Sequence, residues 1–464
     1  MLKKRKLFIS FLIIGIFASP LLLSFLPTNV YADFESDFYD IIVRSGLQKV
    51  NFGLEVMNVD SQKIVYSRNS EALFMPASNV KILTSLTALT VLGAEYTFNT
   101  EVFYDDTNLF IKGYGNPDLN LSDIIELTDI ISDYGIITIN DIIYDDSYFR
   151  EEECGKGWVN EPQTSLVAPK VSAISLNKNH ISILIKPSKS GKKISLYPKT
   201  NYFTVLDSTK ADKMGLTINL KSTDDKNYII IKGDSSASGE FTRNVDNPAS
   251  YMTTILKEML EKKGITITGK VTRGTVKDSC KNICTHSSNP LLYLIYYMNK
   301  NSDNFYAEHI LKAIGAKGGT PPGSFEKGTN EVYKLLKGIG LSKDEIRIFD
   351  GSGLSRYNLI SPHGLVKVLA SAISEWGIRN EFISSLPIAG VDGTLKHRLR
   401  TSECKGNVRA KTGTMLSVSS LAGYAYTQNN NLIVFSIMMD NYVLDTPKIK
   451  QAEDKIIELI IKNF

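Results

Sequence analysis

The chain has 464 residues, of which 43% are hydrophobic, 22% charged and 9% aromatic, a composition that excludes wholesale disorder and a polytopic membrane protein. Its formal charge of +4 sits in one short stretch, because Lys3, Lys4, Arg5 and Lys6 equal the whole excess of 53 basic over 49 acidic residues. Beyond that stretch the chain is neutral, which argues against nucleic acid as a partner, since displacing counterions from phosphates needs a cationic face.

In chain order, residues 1–32 read as an export signal: a cationic start, an apolar run over 7–26, and Val30-Tyr31-Ala32 as a small-residue cleavage site. The apolar run is also long enough to span a bilayer, so an uncleaved anchor is the alternative, and Pro20 and Pro27 favour cleavage. Either way the expected location is extracytoplasmic: secreted, or held peripherally at the membrane or wall. A helix is predicted over 34–44 and a strand pair over 52–66 with its turn at Asp60-Ser61. Pro76 precedes a buried helix from Ser78 to Leu92, with Ile82, Leu83, Leu86 and Leu89 at helical spacing until Gly93 stops it.

From about residue 96 the texture changes to short alternating runs separated by Asp, Asn, Gly and Ser, and this strand-rich stretch continues to about 277. Helical spacing returns over 290–300, 304–314, 331–336 and 364–373. A hairpin (408–426 and 432–439, turn at Asn429-Asn430-Asn431) leads to a final helix over 446–463, whose Ile449, Ala452, Ile456, Ile457, Ile460 and Ile461 share one side. Lacking Trp and a cationic face, that helix reads as a core helix rather than a membrane-surface one. The pattern predicts an α/β domain built from both chain ends and interrupted by a mostly β insertion of roughly 180 residues, a size within ordinary domain limits.

Cys154, Cys280, Cys284 and Cys404 are too few for a disulfide-dense scaffold and allow three pairings. Neither Cys280 and Cys284 with His286, nor the histidines His180, His286, His309, His363 and His397, supply a ligand set, so no metal or other cofactor is expected.

Three short patterns carry chemistry. Ser-x-x-Lys occurs at Ser78, Ser175, Ser190, Ser324 and Ser402, but only Ser78 opens a long apolar helix, where Lys81 shares its face. A serine hydroxyl needs a base to become a nucleophile, and a desolvated lysine serves; taken alone, the motif reads as a helix cap plus a surface lysine. Ser302-Asp303-Asn304 lies between two helical runs, and Ser-x-Asn also occurs at Ser67, Ser175 and Ser287. Lys411-Thr412-Gly413-Thr414 occurs once, entering a strand, where glycine would let a substrate backbone approach and the lysine and hydroxyls suit a carboxylate. No Gly-x-Ser-x-Gly elbow is present, and Gly351-Ser352-Gly353 has the wrong spacing for one.

The three patterns together, in this order, resemble the set of the penicillin-recognising serine enzymes. The wide gap between Ser78 and Ser302 is similar to that of the D-alanyl-D-alanine carboxypeptidase/endopeptidase family of the DacB type, the low-molecular-mass class C penicillin-binding proteins. The likeness spans nearly the whole mature chain. It includes Gly113-Tyr114-Gly115-Asn116-Pro117-Asp118-Leu119 (with Asn116 for the usual Asp), Asp145 to Phe149, Gly157-Trp158, Ser172 to Asn177, Asp350 to Arg356 with Asn358, and Val391 to Leu395.

The resemblance implies a penicillin-binding-protein/serine β-lactamase-like transpeptidase domain (antiparallel sheet with helices) over 33–96 and 283–464. An inserted β-rich domain would cover 97–172 and 245–282, with a second nested in it over 173–244. It further implies peptidoglycan stem peptides ending in D-Ala-D-Ala as substrate and β-lactams as covalent inhibitors. Catalysis would fall to Ser78 as nucleophile, Lys81 as base and Ser302 as proton relay. Substrate binding would fall to Asn304, Lys411, Thr412, Gly413 and Thr414, and the oxyanion hole to the backbone N–H groups of Ser78 and Thr414. Lys411 would keep Lys81 neutral, and 160–167 would border the pocket for the residue before the scissile bond. Two alternatives keep the fold: a β-lactamase-like hydrolase and a non-catalytic peptidoglycan-binding protein.

Overall fold

The computed structural model describes residues 28–464 except 153, 160–165, 189–190, 211–214, 224–225 and 375–376. The cationic start and apolar run of the expected signal, and most of 160–167, lie outside the described residues. The first helix, α1 (Thr28–Arg44), runs through the expected cleavage position after Ala32. It is followed by β1 (Asn51–Asn58), β2 (Lys63–Arg68) and α2 (Val80–Val91).

The insertion follows as β3 (Asn99–Tyr104), β4 (Leu109–Gly113), α3 (Leu121–Asp133), β5 (Thr138–Ile139), β6 (Ile142–Asp145), β7 (His180–Ser188) and β8 (Gly191–Tyr197). It continues as β9 (Phe203–Asp207), β10 (Thr217–Ser222), β11 (Asn227–Lys232), β12 (Gly239–Asn244), α4 (Pro248–Lys262), β13 (Thr266–Ile267), β14 (Val271–Arg273) and β15 (Lys281–Ser287). The chain then forms α5 (Leu291–Asn301), α6 (Asn304–Lys317), α7 (Phe325–Gly338), β16 (Ile346–Arg347), β17 (Leu359–Ile360), α8 (Pro362–Ser374) and α9 (Arg379–Ser385). It ends in β18 (Arg409–Met415), β19 (Val418–Tyr426), β20 (Leu432–Asp440) and α10 (Thr446–Asn463).

Both chain ends build one antiparallel sheet of order β18-β19-β20-β1-β2, in which Leu54 of β1 faces Ile437 of β20. Strand alternation sends Phe52, Leu54 and Val56 to one face, where they join Phe34 and Phe38 of α1 and Ile449, Ile456 and Ile460 of α10. Each such side chain is worth about 1.5–3 kcal/mol when fully buried. The opposite face packs on α8, and the core it shares also takes in α2, α5 and α6, with ten of the 12 residues of α2 buried. This is the predicted α/β architecture.

The insertion has its own core around a mixed sheet of order β14-β6-β4-β3-β15. Its entry and exit strands lie side by side, Asn99 facing Ser287 in an antiparallel ladder.

The strand-rich stretch also contains two helices that the alternation reading missed. In α3 the β-branched pairs Ile124-Ile125 and Ile130-Ile131 mimic a strand, yet Asn120 caps the helix by accepting from Ser122 N and pairs with Asp123 in a capping box. In α4 Asn247 caps and Pro248 opens the first turn. The expected single run over 408–426 is two strands, β18 and β19, reversed at Leu416-Ser417 with Ser417 at φ 59°. The short α9 was not anticipated.

Candidate active site

The turn before α2 is shaped by its neighbours. Ala77 is held at φ 46°, left-handed, and a 3-10 turn over Ala77–Asn79 hands Ser78 to the start of the helix. Ser420 of β19 donates its hydroxyl to Pro76 O at 2.7 Å, tying the turn to the sheet. A side chain on Gly413 would collide with Ser420 Oγ and with Pro76 O at 2.6 Å. A side chain on Gly353, itself at φ +88°, would run into the Ala77 carbonyl and meet Ser78 N at 3.0 Å. The Ser78 turn is thus pinched between two glycines. Gly413 was expected to admit a substrate backbone; here it makes room for the chain's own Pro76-Ala77 segment.

One turn on, Lys81 is fully buried and donates to Ser78 Oγ at 3.0 Å, Asn304 Oδ1 at 2.7 Å and Ser352 O at 2.7 Å. Burial lowers its pKa to about 8, against the pull of Glu308, Asp350 and Asp303. A neutral amine keeps two N–H donors and one lone pair. Asn304 Oδ1 and Ser352 O can only accept, so deprotonated Lys81 directs both donors to them and turns its lone pair to the Ser78 hydroxyl. The geometry therefore suits proton abstraction from Ser78.

Ser302 ends α5 in the left-handed region (φ 54°, ψ 39°), and Asn304 begins α6 two residues later. Lys411 of β18, also fully buried, donates to Ser302 Oγ and to Thr412 O, each at 2.9 Å. Burial, then Lys81, holds its pKa well below the ordinary value. Thr412 Oγ1 is bonded to Thr394 Oγ1 at 2.8 Å, while Thr414 is exposed. On β18, Ala410 gives its N–H to Pro387 O at 3.0 Å, away from β19. Strand alternation puts the N–H groups of Thr412 and Thr414 on that same outer edge.

Four groups in this shell escaped sequence reasoning. Ser352 contributes a carbonyl, and backbone groups leave no signal in residue type. Glu308, buried on α6, grips the loop that carries it, accepting Ser352 N at 2.8 Å and Gly351 N at 2.9 Å. Burial and Asp350 push the Glu308 carboxyl up to about 8. Asp350 shapes the same loop by accepting from Gly353 N, Ser355 N, Asn358 Nδ2 and Trp158 Nε1 at 2.7–2.9 Å. Thr394 stands in a loop anchored by Lys300, which meets Asp392 at 2.7 Å and Leu386 O at 2.6 Å. Asp350, Asp392 and Thr394 stood in segments of the family resemblance, where their identity gave them no role.

Ser78, Asn304 and Thr414 line one cleft of about 320 Å³ together with Trp158, Arg356 and Leu416. A separate cavity of about 410 Å³, lined by Asp146, Arg150, Lys170 and Arg273 among others, contains none of the predicted residues. Among the described residues no group of His, Cys, Asp or Glu is placed to hold a metal ion, and the four cysteines are free thiols.

A buried lysine on the helix of the serine, a second on the edge strand and a Ser-x-Asn turn between them, on an antiparallel sheet with helices, define a penicillin-recognising serine hydrolase. Residues 36–462 match the D-Ala-D-Ala carboxypeptidase 3 (S13) family, and the chain belongs to it. It is a serine-type D-Ala-D-Ala carboxypeptidase.

Among its relatives, a D-alanyl-D-alanine carboxypeptidase of Actinomadura sp. (strain R39) is 28% identical over 441 residues, covering 88% of this chain and 81% of the relative. The D-alanyl-D-alanine carboxypeptidase DacB of Haemophilus influenzae is 27% identical over 418 residues, 84% of this chain and 86% of that protein. The crystal structure of penicillin-binding protein 4 (dacB) from Haemophilus influenzae shares the fold with a TM-score of 0.80 at 24% identity, over 92% of this chain and 99% of the other. A second structure of that protein, complexed with a β-lactam, gives a TM-score of 0.78 at 23% identity, with the same coverage of 92% and 99%.

Proposed function

We propose that this carboxypeptidase trims peptidoglycan stem peptides outside the cytoplasm through an acyl-enzyme on Ser78, and that it cleaves D-alanyl cross-links as well as chain ends. The observation that carries this reading is the hydrogen bond from the fully buried Lys81 amine to Ser78 Oγ at 3.0 Å. Ser78 Oγ attacks the carbonyl between the two D-alanines as its proton passes to Lys81, and the tetrahedral oxyanion is held by the N–H groups of Ser78 and Thr414. Such donors are typically worth about 3–4 kcal/mol of barrier. The C–N bond then breaks, and Ser302, bonded to Lys411, relays the proton held by Lys81 to the departing D-alanine amine, which leaves Lys81 neutral again. Water hydrolyses the ester and restores Ser78.

Asn304 holds the substrate amide and orients Lys81, while Lys411, Thr412, Gly413 and Thr414 form the strand edge that receives the terminal carboxylate. Burial lowers both lysines, and because two buried ammonium groups disfavour each other's charge, Lys411 helps to keep Lys81 neutral. β-Lactams present the same carbonyl beside a carboxylate and acylate Ser78, as the β-lactam complex of the Haemophilus relative suggests. Export by the segment over 1–32 places the enzyme at the membrane or wall. Among the described residues no helix is long and apolar enough to cross a membrane.

Two measurements test the proposal. Labelled penicillin should leave a stable adduct on Ser78, absent in Ser78→Ala; an adduct gone within seconds favours a β-lactamase. Wall fragments digested by the protein and analysed by mass should lose terminal D-alanine and also cross-links; products trimmed only at their ends would remove the second half of the claim.

A further inference from the structure

The insertion reaches the Ser-x-Asn turn through a backbone conformation that L-residues avoid. Asn177, Lys178 and Asn179 are consecutive residues at φ 48°, 57° and 59°. Their surroundings enforce it. Asn179 is fully buried; its Oδ1 accepts Leu176 N at 3.1 Å, its Nδ2 donates to Lys170 O at 2.7 Å, and its carbonyl accepts Val245 N at 2.8 Å. Asn177 N donates to Leu119 O at 3.0 Å.

At the crest of this turn Lys178 passes beside the rings of Tyr297 and Tyr306, at 4.8 and 5.5 Å. Its Nζ donates to Asp303 Oδ2 at 2.6 Å and to Tyr297 Oη at 2.9 Å. Asp303 uses its other oxygen to accept Tyr306 N at 3.0 Å, capping α6. It stands between Ser302, which meets Lys411, and Asn304, which meets Lys81. A surface ion pair needs no strained backbone beneath it; this one is set on three left-handed residues and aimed at the middle of the motif.

We infer that Lys178, delivered by the insertion, is a positioning residue of the reaction that clamps and neutralises Asp303 so that Ser302 and Asn304 stay registered against Lys411 and Lys81. The inference rests on the Ser78 acylation reading above. It gives the insertion a task in catalysis as well as a place in the fold.

Electrostatics supplies a readout that simple scaffolding would not move. Lys81 is faced by Glu308 of α6, by Asp350 of the loop, by Asp303 and by the second lysine Lys411, and Asp303 raises its pKa. Unmasking Asp303 therefore raises Lys81 further, and removing its charge lowers Lys81.

The experiment compares wild type, Lys178→Met, Lys178→Arg, Asp303→Asn and the double variant Lys178→Met/Asp303→Asn, using the acylation rate by labelled penicillin across pH, with melting temperatures alongside. Asparagine retains the helix cap. Lys178→Met should acylate roughly tenfold more slowly at neutral pH, about 1.4 kcal/mol by the tenfold conversion, with its acid limb moved to higher pH. Lys178→Arg should recover the wild-type limb, Asp303→Asn should move it to lower pH, and the double variant should follow Asp303→Asn. A Lys178→Met rate and limb equal to wild type would overturn the inference. So would a loss that tracks melting temperature and persists in Lys178→Arg. A wild-type protein that forms no Ser78 adduct sinks the underlying reading instead, and the inference with it.

Discussion

Replacing Gly353 by alanine tests whether the pinch on the Ser78 turn sets the nucleophile. The residue sits at φ +88°, where a side chain costs about 1–2 kcal/mol, and the new methyl would overlap the Ala77 carbonyl, a backbone group that cannot rotate away. Overpacking adds about 1–3 kcal/mol, so the expected loss of stability is roughly 2–5 kcal/mol. The turn relieves the overlap by moving Ser78, and a shift of about 1 Å at a reacting atom costs on the order of 100-fold in rate. Gly264→Ala is the matched control, because Gly264 has φ +92° with nothing within 4 Å of the added methyl. It should lose about 1–2 kcal/mol and no acylation. The assay is labelled-penicillin acylation of both variants with unfolding curves in parallel. If Gly353→Ala acylates at the wild-type rate, or Gly264→Ala is equally slowed, steric definition of the Ser78 turn is not what matters.

Other residues give sharper readouts of charge. Glu308→Gln replaces one acceptor of the Gly351 and Ser352 N–H groups by a donor, which should cost roughly 1.5–3 kcal/mol on unfolding. Where it is ionised, Glu308 is the carboxylate that most raises Lys81, and burial with Asp350 pushes its own pKa up to about 8. The acid limb of acylation should therefore move to lower pH only as far as Glu308 ionises in that range; an upward shift would contradict Lys81 as the base. Arg398→Met strips the fully buried Glu453 of its partner at 2.9 Å and should destabilise by about 3–5 kcal/mol. Burial already raises Glu453, and Arg398 opposes that rise. A raised carboxyl contributes stability below its unfolded value of 4.5 and loses it as pH climbs, so the deficit should be larger at pH 8 than at pH 5. Equal deficits would mean Glu453 does not titrate in this window.

Much of this was legible in residue order. The helix behind Ser78, buried on nearly every side, and the final helix over 446–463, which buries one face, stand where their apolar spacing predicted them. Signals failed where the deciding interaction was tertiary or belonged to the backbone. Ser302 is named by its motif and the family resemblance, but its left-handed turn at the end of α5 leaves no mark in residue type. Glu308 carries no signal of its own in the sequence, since its partners are two peptide N–H groups 43 and 44 positions away. The same holds for α3, where paired isoleucines imitate a strand and only the Asn120-Asp123 cap gives the helix away.

The sheet's wiring has a further consequence for how the chain reaches this state. Asn51 of β1 bonds Asp440 across 389 positions, so the layer holding Lys411 cannot close until almost all of the polypeptide is available. The insertion is self-contained by comparison, its first and last strands joined across 188 positions. Loop-closure entropy favours the shorter closure, so this unit should consolidate first and draw α2 and α5 together, and competence arrives last. Pulse-labelled hydrogen exchange during refolding should register protection in β3 and β15 ahead of β1 and β20; simultaneous protection would rule out that order.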